Sequence, residues 1–202
     1  MNKNKGFSLV ELIIVIAIMG VVLVGGIMGL GALSGQKIKT ASKNVYNMLG
    51  SSQMVAMSKG HTFYGILYND DHIEVVTLYR QDSSNLFKFT VIQKEELSSS
   101  VEVYYKNTDN DVYYIGDPAK SDGTKDYTWG MLIYFDRTTG GISETWHVVN
   151  DYNGEYLTIN GANLAASQAA IQTSNCNHIC ITKKGGDIDI TVVPLTGKFY
   201  IN

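Results

Sequence analysis

An uncharged apolar segment near the amino terminus constrains the fold of this chain more than any other feature. The segment covers residues 12–33. A helix of that length, at about 1.5 Å per residue, is long enough to span the hydrocarbon core of a bilayer. Glu11 stands directly before it. Because a carboxylate entering a membrane is costly unless it finds a partner, Glu11 calls for a functional reason.

The rest of the chain, from about residue 34 onward, has the composition of an ordinary globular domain. The chain has 202 residues, so this part is long enough to form a core of its own. A net charge of −3 gives no general attraction to nucleic acid or to anionic lipid. Lysines lie on both sides of the apolar segment, so their placement does not set its orientation. The size of the carboxyl-terminal domain favours its export.

Two general interpretations of the amino terminus are available. It could be a secretory signal peptide with a small-x-small cleavage site at Ala32-Leu33-Ser34, or a signal anchor that is never cleaved. The apolar segment is longer than the apolar core of a signal peptide. Neither interpretation accounts for Gly6 or Glu11.

The segment Lys5-Gly6-Phe7-Ser8-Leu9-Val10-Glu11-Leu12-Ile13 resembles the class III signal of type IV prepilins and type II secretion pseudopilins. The resemblance implies that a prepilin peptidase cuts between Gly6 and Phe7 and that Phe7 becomes N-methylated. Glu11 then occupies the fifth position of the mature chain, as in the family. There it would pair with the terminal amine of a neighbouring subunit and help to set the register of a filament.

The resemblance also implies a domain organisation and an α+β pilin fold. A leader peptide over residues 1–6 precedes a transmembrane and assembly helix over 7–34 and an extracytoplasmic globular domain over 35–202. The long helix, transmembrane in its first half, packs on an antiparallel β-sheet. Residues 134–141 and 186–201 further resemble hairpins of the H-type minor pseudopilins, and the chain length favours a minor subunit.

The implied function is that of a structural subunit, not an enzyme, in a type IV pilus or a type II secretion-type filament. Such a subunit would act in filament initiation or at the tip, and would sit as a single-pass protein in the bacterial cytoplasmic membrane before assembly. Its partners would be the prepilin peptidase, other pilin subunits, the inner-membrane assembly platform and membrane lipid, with no nucleic acid. The alternative is a tip adhesin or DNA-uptake pilin whose carboxyl-terminal domain recognises a ligand.

Helical patterns continue beyond the apolar segment. Gly25 and Gly29 form a small-xxx-small pair that would allow close helix packing in lipid, although glycine is also common in membrane helices generally. Apolar residues then recur at spacings of three and four between Ile38 and Ala56, which predicts one apolar face. We therefore expect a continuous helix over residues 7–59, ended by Gly60 and docked on a sheet through its second half.

The apolar period changes from that of a helix to that of a strand after Gly60. Turn-forming residues separate the segments, which favours antiparallel pairing. The predicted strands cover residues 62–68, 72–80, 86–93, 101–105, 112–115, 131–135, 142–149, 187–192 and 198–201. Residues 116–125 are predicted to form a surface loop, and the alanine-rich residues 164–171 a short helix.

Cys176 and Cys180 are the two cysteines of the chain. Outside the cytoplasm they could form a disulfide across a tight loop, which is the favoured interpretation. Two free thiols and half of a metal site are the alternatives. Zinc takes four ligands, and no second cysteine pair is present.

Other chemistry-bearing residues carry no recognisable pattern. Asp109 and Asp111 could offer oxygens to calcium, but the segment lacks the glycine and terminal glutamate of an EF-hand loop, so a solvated turn is favoured. The four histidines form no recognisable spacing with carboxylates, and no nucleophile elbow occurs. The sequence predicts no catalytic residues, no metal site and no cofactor.

Overall fold

A computed structural model describes residues 9–80, 89–148, 170–183 and 186–202, without the side chains of residues 21–34, 170 and 171. The fold is α+β, as predicted: one long helix is followed by strands. The helix is α1 (Leu9–Lys59). The strands are β1 (Thr62–Asn69), β2 (His72–Arg80), β3 (Phe89–Glu96), β4 (Glu102–Asn107), β5 (Val112–Ile115), β6 (Tyr127–Thr128), β7 (Gly130–Phe135), β8 (Ile142–Val148), β9 (Ala170–Thr173), β10 (Cys176–Lys183), β11 (Gly186–Val193) and β12 (Lys198–Ile201).

The helix α1 has 51 residues and is therefore about 77 Å long. It ends where the sequence predicts, because Gly60 adopts a φ of +67°, in the left-handed region that closes many helices. The Gly60 amide donates to the Ala56 carbonyl at 2.8 Å and completes the last turn. The predicted start at Phe7 lies outside the described residues.

The first half of α1 was expected to cross a membrane. Within the described part of the chain, no helix meets the length and hydropathy needed for a membrane span. The predicted span over residues 12–33 is not confirmed, and much of it lies where side chains are not described.

Within the described residues, the strands form two six-stranded sheets where the sequence predicted one. The first sheet has the order β3-β2-β1-β7-β8-β9, and all its neighbours are antiparallel. The second sheet has the order β12-β11-β10-β4-β5-β6 and contains one parallel pair, β5 with β6. A short 3₁₀ helix, Pro118–Lys120, lies in the predicted surface loop.

Strands β6, β9 and β10 were not predicted from the sequence. Residues 164–169 of the predicted short helix lie outside the described residues, and its last two residues, Ala170 and Ile171, belong to strand β9 instead. Their pairing with Val148 and His147 on β8 overrides the helix preference of alanine. Strand β10 was not predicted, because it lies between β4 and β11 at the interior of a sheet and lacks a clear alternation.

The main core lies where α1 meets both sheets. The predicted apolar face of α1 is buried, with Val45 and Leu49 completely inaccessible to solvent. The buried members contributed by α1 are Ile38, Ala41, Val45, Met48, Leu49 and Ala56. The first sheet contributes Ile66, and the second contributes Ile179, among others. Burial of this face against two sheets is what holds the second half of α1 in place.

A second apolar cluster lies on the other face of the first sheet. Its buried members are Phe63, Leu67, Val76, Leu78, Phe89, Leu132 and Val148. The first sheet is therefore buried on both faces, which explains why β1 is almost continuously apolar. Glu74 alternates with the buried Val76 and Leu78 on β2 and so occupies the same face, which we call the outer face of the first sheet.

A histidine–tyrosine contact joins the two sheets. The Tyr105 hydroxyl on β4 lies 2.6 Å from Nδ1 of His147 on β8, and the Tyr113 ring packs edge-on against the imidazole at 4.1 Å between ring centres. Burial lowers the pKa of His147 to about 4, against a smaller opposing effect of Asp111. The ring is therefore neutral at pH 7, and its Nδ1 shares a hydrogen bond with the Tyr105 hydroxyl.

We expect this contact to make folding stability depend on pH. In the unfolded chain His147 has an ordinary pKa of about 6.5, so between pH 6.5 and 4 the unfolded state binds more protons at this site. The contribution of neutral His147 to the free energy of unfolding is complete above pH 6.5 and is lost as the pH falls to about 4. Denaturant unfolding at several pH values should show that the free energy of unfolding falls more steeply with decreasing pH for the native chain than for His147→Gln. Equal pH dependence of the two chains would contradict the lowered pKa of His147.

Candidate functional site

The first turns of α1 expose a continuous series of large apolar side chains. Leu9 is 74% exposed, Ile16 61% and Met19 60%, whereas Leu49 in the docked half is fully buried. Uncovered apolar surface on this scale is typical of a surface that contacts lipid or another protein. Glu11 lies in the first described turn and is also exposed. A carboxylate there complements the positive end of the helix dipole.

The structure does not describe the surroundings of the residues predicted for processing and for helix packing. Gly6 and Phe7 fall outside the described residues, so the cleavage site stays a prediction. Gly25 and Gly29 lie within α1, where the surroundings of side chains are not described. Their role in helix packing also stays a prediction.

The disulfide predicted for Cys176 and Cys180 is not formed: both are buried free thiols. They lie four residues apart on the extended strand β10, which separates their Cα atoms by about 13 Å, whereas a disulfide requires roughly 4.4–6.8 Å. Cys176 packs in the main core, and Cys180 contacts Asp189 on the other face of the sheet at 3.3 Å. Burial raises the pKa of both thiols, that of Cys180 to about 11.

The turn after β4 is a solvated turn, as predicted, with its own internal hydrogen bonds. The Asn107 side-chain oxygen accepts from the backbone amides of Asp109 at 3.0 Å and Asp111 at 2.9 Å. The Asn107 amide donates to the Asp111 carboxylate at 3.0 Å. These hydrogen bonds hold the backbone of the turn in its conformation.

A second polar cluster lies on the outer face of the first sheet, at the end near the turn between β1 and β2. We call it the Glu74 cluster; it consists of Asp71, His72, Glu74, Lys94 and Glu96. Glu74 is fully buried, and its Oε1 lies 3.0 Å from His72 Nε2 and 3.0 Å from Lys94 Nζ. The Asn69 amide donates to the same oxygen at 3.2 Å. His72 Nδ1 lies 3.0 Å from Asp71 Oδ1.

The electrostatics of the cluster favour ionised side chains. Burial acts to raise the pKa of Glu74, but hydrogen bonds from Lys94, His72 and Asn69 outweigh it and hold that pKa below its ordinary value. The hydrogen bond to Asp71 raises the pKa of His72, partly opposed by burial.

The sequence analysis did not predict the Glu74 cluster. The spacing of His72 and Glu74 was a visible signal, but Lys94 and Glu96 join them only through the pairing of β2 with β3.

Comparison with known proteins bears on the amino terminus alone. Residues 1–32 match the family model of the prokaryotic N-terminal methylation motif. The match supports the type IV pilin and pseudopilin family, whose members are structural proteins. It also indicates processing by a prepilin peptidase and assembly with other pilins. Comparisons with curated proteins and with solved structures find no match for the chain.

Proposed function

We propose that this chain is a minor pilin or pseudopilin that assembles into a filament through α1. The observation that carries the proposal is the methylation motif at residues 1–32, followed by one unbroken helix to Lys59. The two halves of that helix differ in a way that suits such a subunit. The second half is buried against the sheets, and the first described turns leave their apolar side chains uncovered.

Processing is the first step of the proposed function. The prepilin peptidase removes residues 1–6, and Phe7 becomes the methylated amino terminus of the mature chain. Residues 7–34 then hold the protein in the cytoplasmic membrane, with residues 35–202 outside. In this proposal the exposed side chains of Leu9, Ile16 and Met19 contact lipid before assembly and neighbouring helices afterwards.

Assembly is the second step. Glu11 pairs with the methylated terminal amine of a neighbouring subunit, which removes the unfavourable burial of each charge and selects one stagger between helices. Gly25 and Gly29 let neighbouring helices approach closely. From the resemblance to H-type subunits, we further propose that the chain acts at filament initiation or at the tip.

The hairpins behind that resemblance pack together in the structure. The Ile142 amide, at the start of β8, donates to the Pro194 carbonyl in the turn after β11 at 2.7 Å. In the proposed function, this hydrogen bond links the two hairpins that resemble those of the H-type subunits.

The amino terminus and intact mass of the protein from its native membrane test the proposal. We expect a chain that begins at Phe7 and carries one methyl group on its terminal amine. Peptide mass spectrometry would locate both the end and the methyl group. A chain that begins at Met1 would indicate an uncleaved anchor, and one that begins at Gly35 an ordinary secreted domain. Either result would overturn the filament proposal.

A further inference from the structure

We propose that His72, Glu74 and Glu96 form a zinc-binding site on the outer face of the first sheet. One ring nitrogen of His72 and one carboxylate oxygen from each glutamate all lie within 4.8 Å of one another. Small side-chain movements would bring all three atoms to the distances of about 2.0–2.2 Å that zinc makes with imidazole and carboxylate ligands.

The strand register is the first argument for a cation here. Glu74 on β2 lies directly opposite Glu96 on β3, and His72 shares their face because it precedes Glu74 by two residues. Like charges directly opposite each other on antiparallel strands are destabilising. Lys94 compensates one of the two carboxylates through its contact with Glu74 at 3.0 Å. A divalent cation between the strands would compensate the other.

The second oxygen of Glu74 is an independent argument. Its Oε1 has three partners, but Oε2 is buried and has no hydrogen-bond partner among the described residues. A buried acceptor left without a partner is unfavourable, and for a charged group more so. A metal ion bound to Glu74 would supply the missing partner.

The orientation of His72 agrees with a ligand role. Metal-binding histidines usually donate their second ring N–H to a carboxylate, which fixes the tautomer. Asp71 lies 3.0 Å from Nδ1 and can accept that proton. Nε2, which contacts Glu74 Oε1 at 3.0 Å, would lose its proton and exchange that contact for the metal. One imidazole with two carboxylates suits zinc better than calcium, which prefers oxygen ligands alone.

The site is open to solvent on the side of Glu96, which is exposed on β3. Within the described first sheet β3 is an edge strand. A metal ion held jointly by β2 and β3 would fasten that edge to the interior of the sheet, so we assign the site a stabilising role that is separate from filament assembly.

Zinc titration of the metal-free full-length protein in detergent micelles tests the site. Isothermal titration calorimetry should give one zinc ion per chain, with calcium and magnesium binding far more weakly. At a free zinc concentration about 100-fold above the Kd, the melting temperature should rise by roughly 5–10 °C. Glu96→Gln should weaken zinc binding by about tenfold or more, since loss of even an outer-shell partner has effects of that size.

Glu95→Gln is the matched control. Glu95 neighbours Glu96 on β3, is also exposed, and opposes Val75 instead of Glu74, so the same charge is removed from the other face. We expect this variant to bind zinc as the native chain does. Equal zinc affinities for the two variants, a preference for calcium, or no binding by the native protein would each overturn the proposal. A loss of binding in His178→Gln but not in His72→Gln would overturn it as well.

Discussion

Replacing Glu11 with alanine should leave the protein in the membrane and nearly abolish its incorporation into filaments. In the proposed assembly, Glu11 neutralises the terminal amine of a neighbouring subunit inside an apolar bundle of helices. Removing one member of a buried charge pair typically costs about 3–5 kcal/mol, because the remaining charge is left without a partner. A penalty of that size at each subunit contact corresponds to more than about a hundredfold weaker incorporation.

The measurement is the amount of the protein in sheared filaments relative to the membrane fraction of its native host. Glu95→Ala provides a control, because it removes an exposed carboxylate from the globular domain and leaves α1 unchanged. Mass analysis of the membrane fraction must show that Glu11→Ala is still cut before Phe7. Otherwise a processing defect would account for the loss. Normal incorporation of a correctly processed Glu11→Ala chain would refute the proposed role of Glu11.

Replacing Gly197 with alanine should destabilise the globular domain by about 3–5 kcal/mol, the sum of backbone strain, steric overlap and weakened hydrogen bonds. Gly197 adopts a φ of +62° in the turn between β11 and β12, and an added Cβ would overlap the carbonyl oxygen of Gly140. The overlap also reaches the Gln53 side chain of α1, whose amide donates to the carbonyls of Gly140 at 2.7 Å and Gly197 at 3.0 Å. The substitution would therefore separate the helix from two turns at once.

Gly123→Ala is the control that separates the steric overlap at Gly197 from the cost of placing alanine at a positive φ. Gly123 has a similar φ of +81°, but a Cβ added there would meet no atom within 4 Å. That variant should therefore lose only the roughly 1 kcal/mol that a left-handed backbone costs a non-glycine residue. Denaturant unfolding of the full-length protein in detergent gives both values. An equal decrease in the free energy of unfolding for the two variants would show that Gly140 and Gln53 can move to accommodate the added methyl group without cost.

The elements predicted well from the sequence are those whose signal is local. The spacing of apolar residues between Ile38 and Ala56 marked the buried face of α1, and Gly60 marked its end. Strands β2, β5 and β12 begin and end at the predicted residues. Turn-forming residues precede each of them in the sequence. In each case a few neighbouring residues contain the information.

The predictions that failed depended on partners far away along the chain. The disulfide between Cys176 and Cys180 assumed a compact loop, but pairing with β4 and β11 extends that segment into an interior strand. The helix predicted over 164–171 has its last two residues in β9, through pairing with β8. At both places the tertiary structure decided the conformation. Backbone hydrogen bonds and burial in a sheet outweigh a local conformational propensity of a few tenths of a kcal/mol per residue.

The sequence by itself determined the amino-terminal motif, the long helix, the α+β class and most strand positions. All of these follow from covalent order or from a period of two or 3.6 residues. Only the tertiary structure decided the division into two sheets, the bond from Gln53 to two distant turns, and the cluster of His72, Glu74 and Glu96. A residue's neighbours along the chain set its local conformation, but strand register and packing choose which distant side chains meet it.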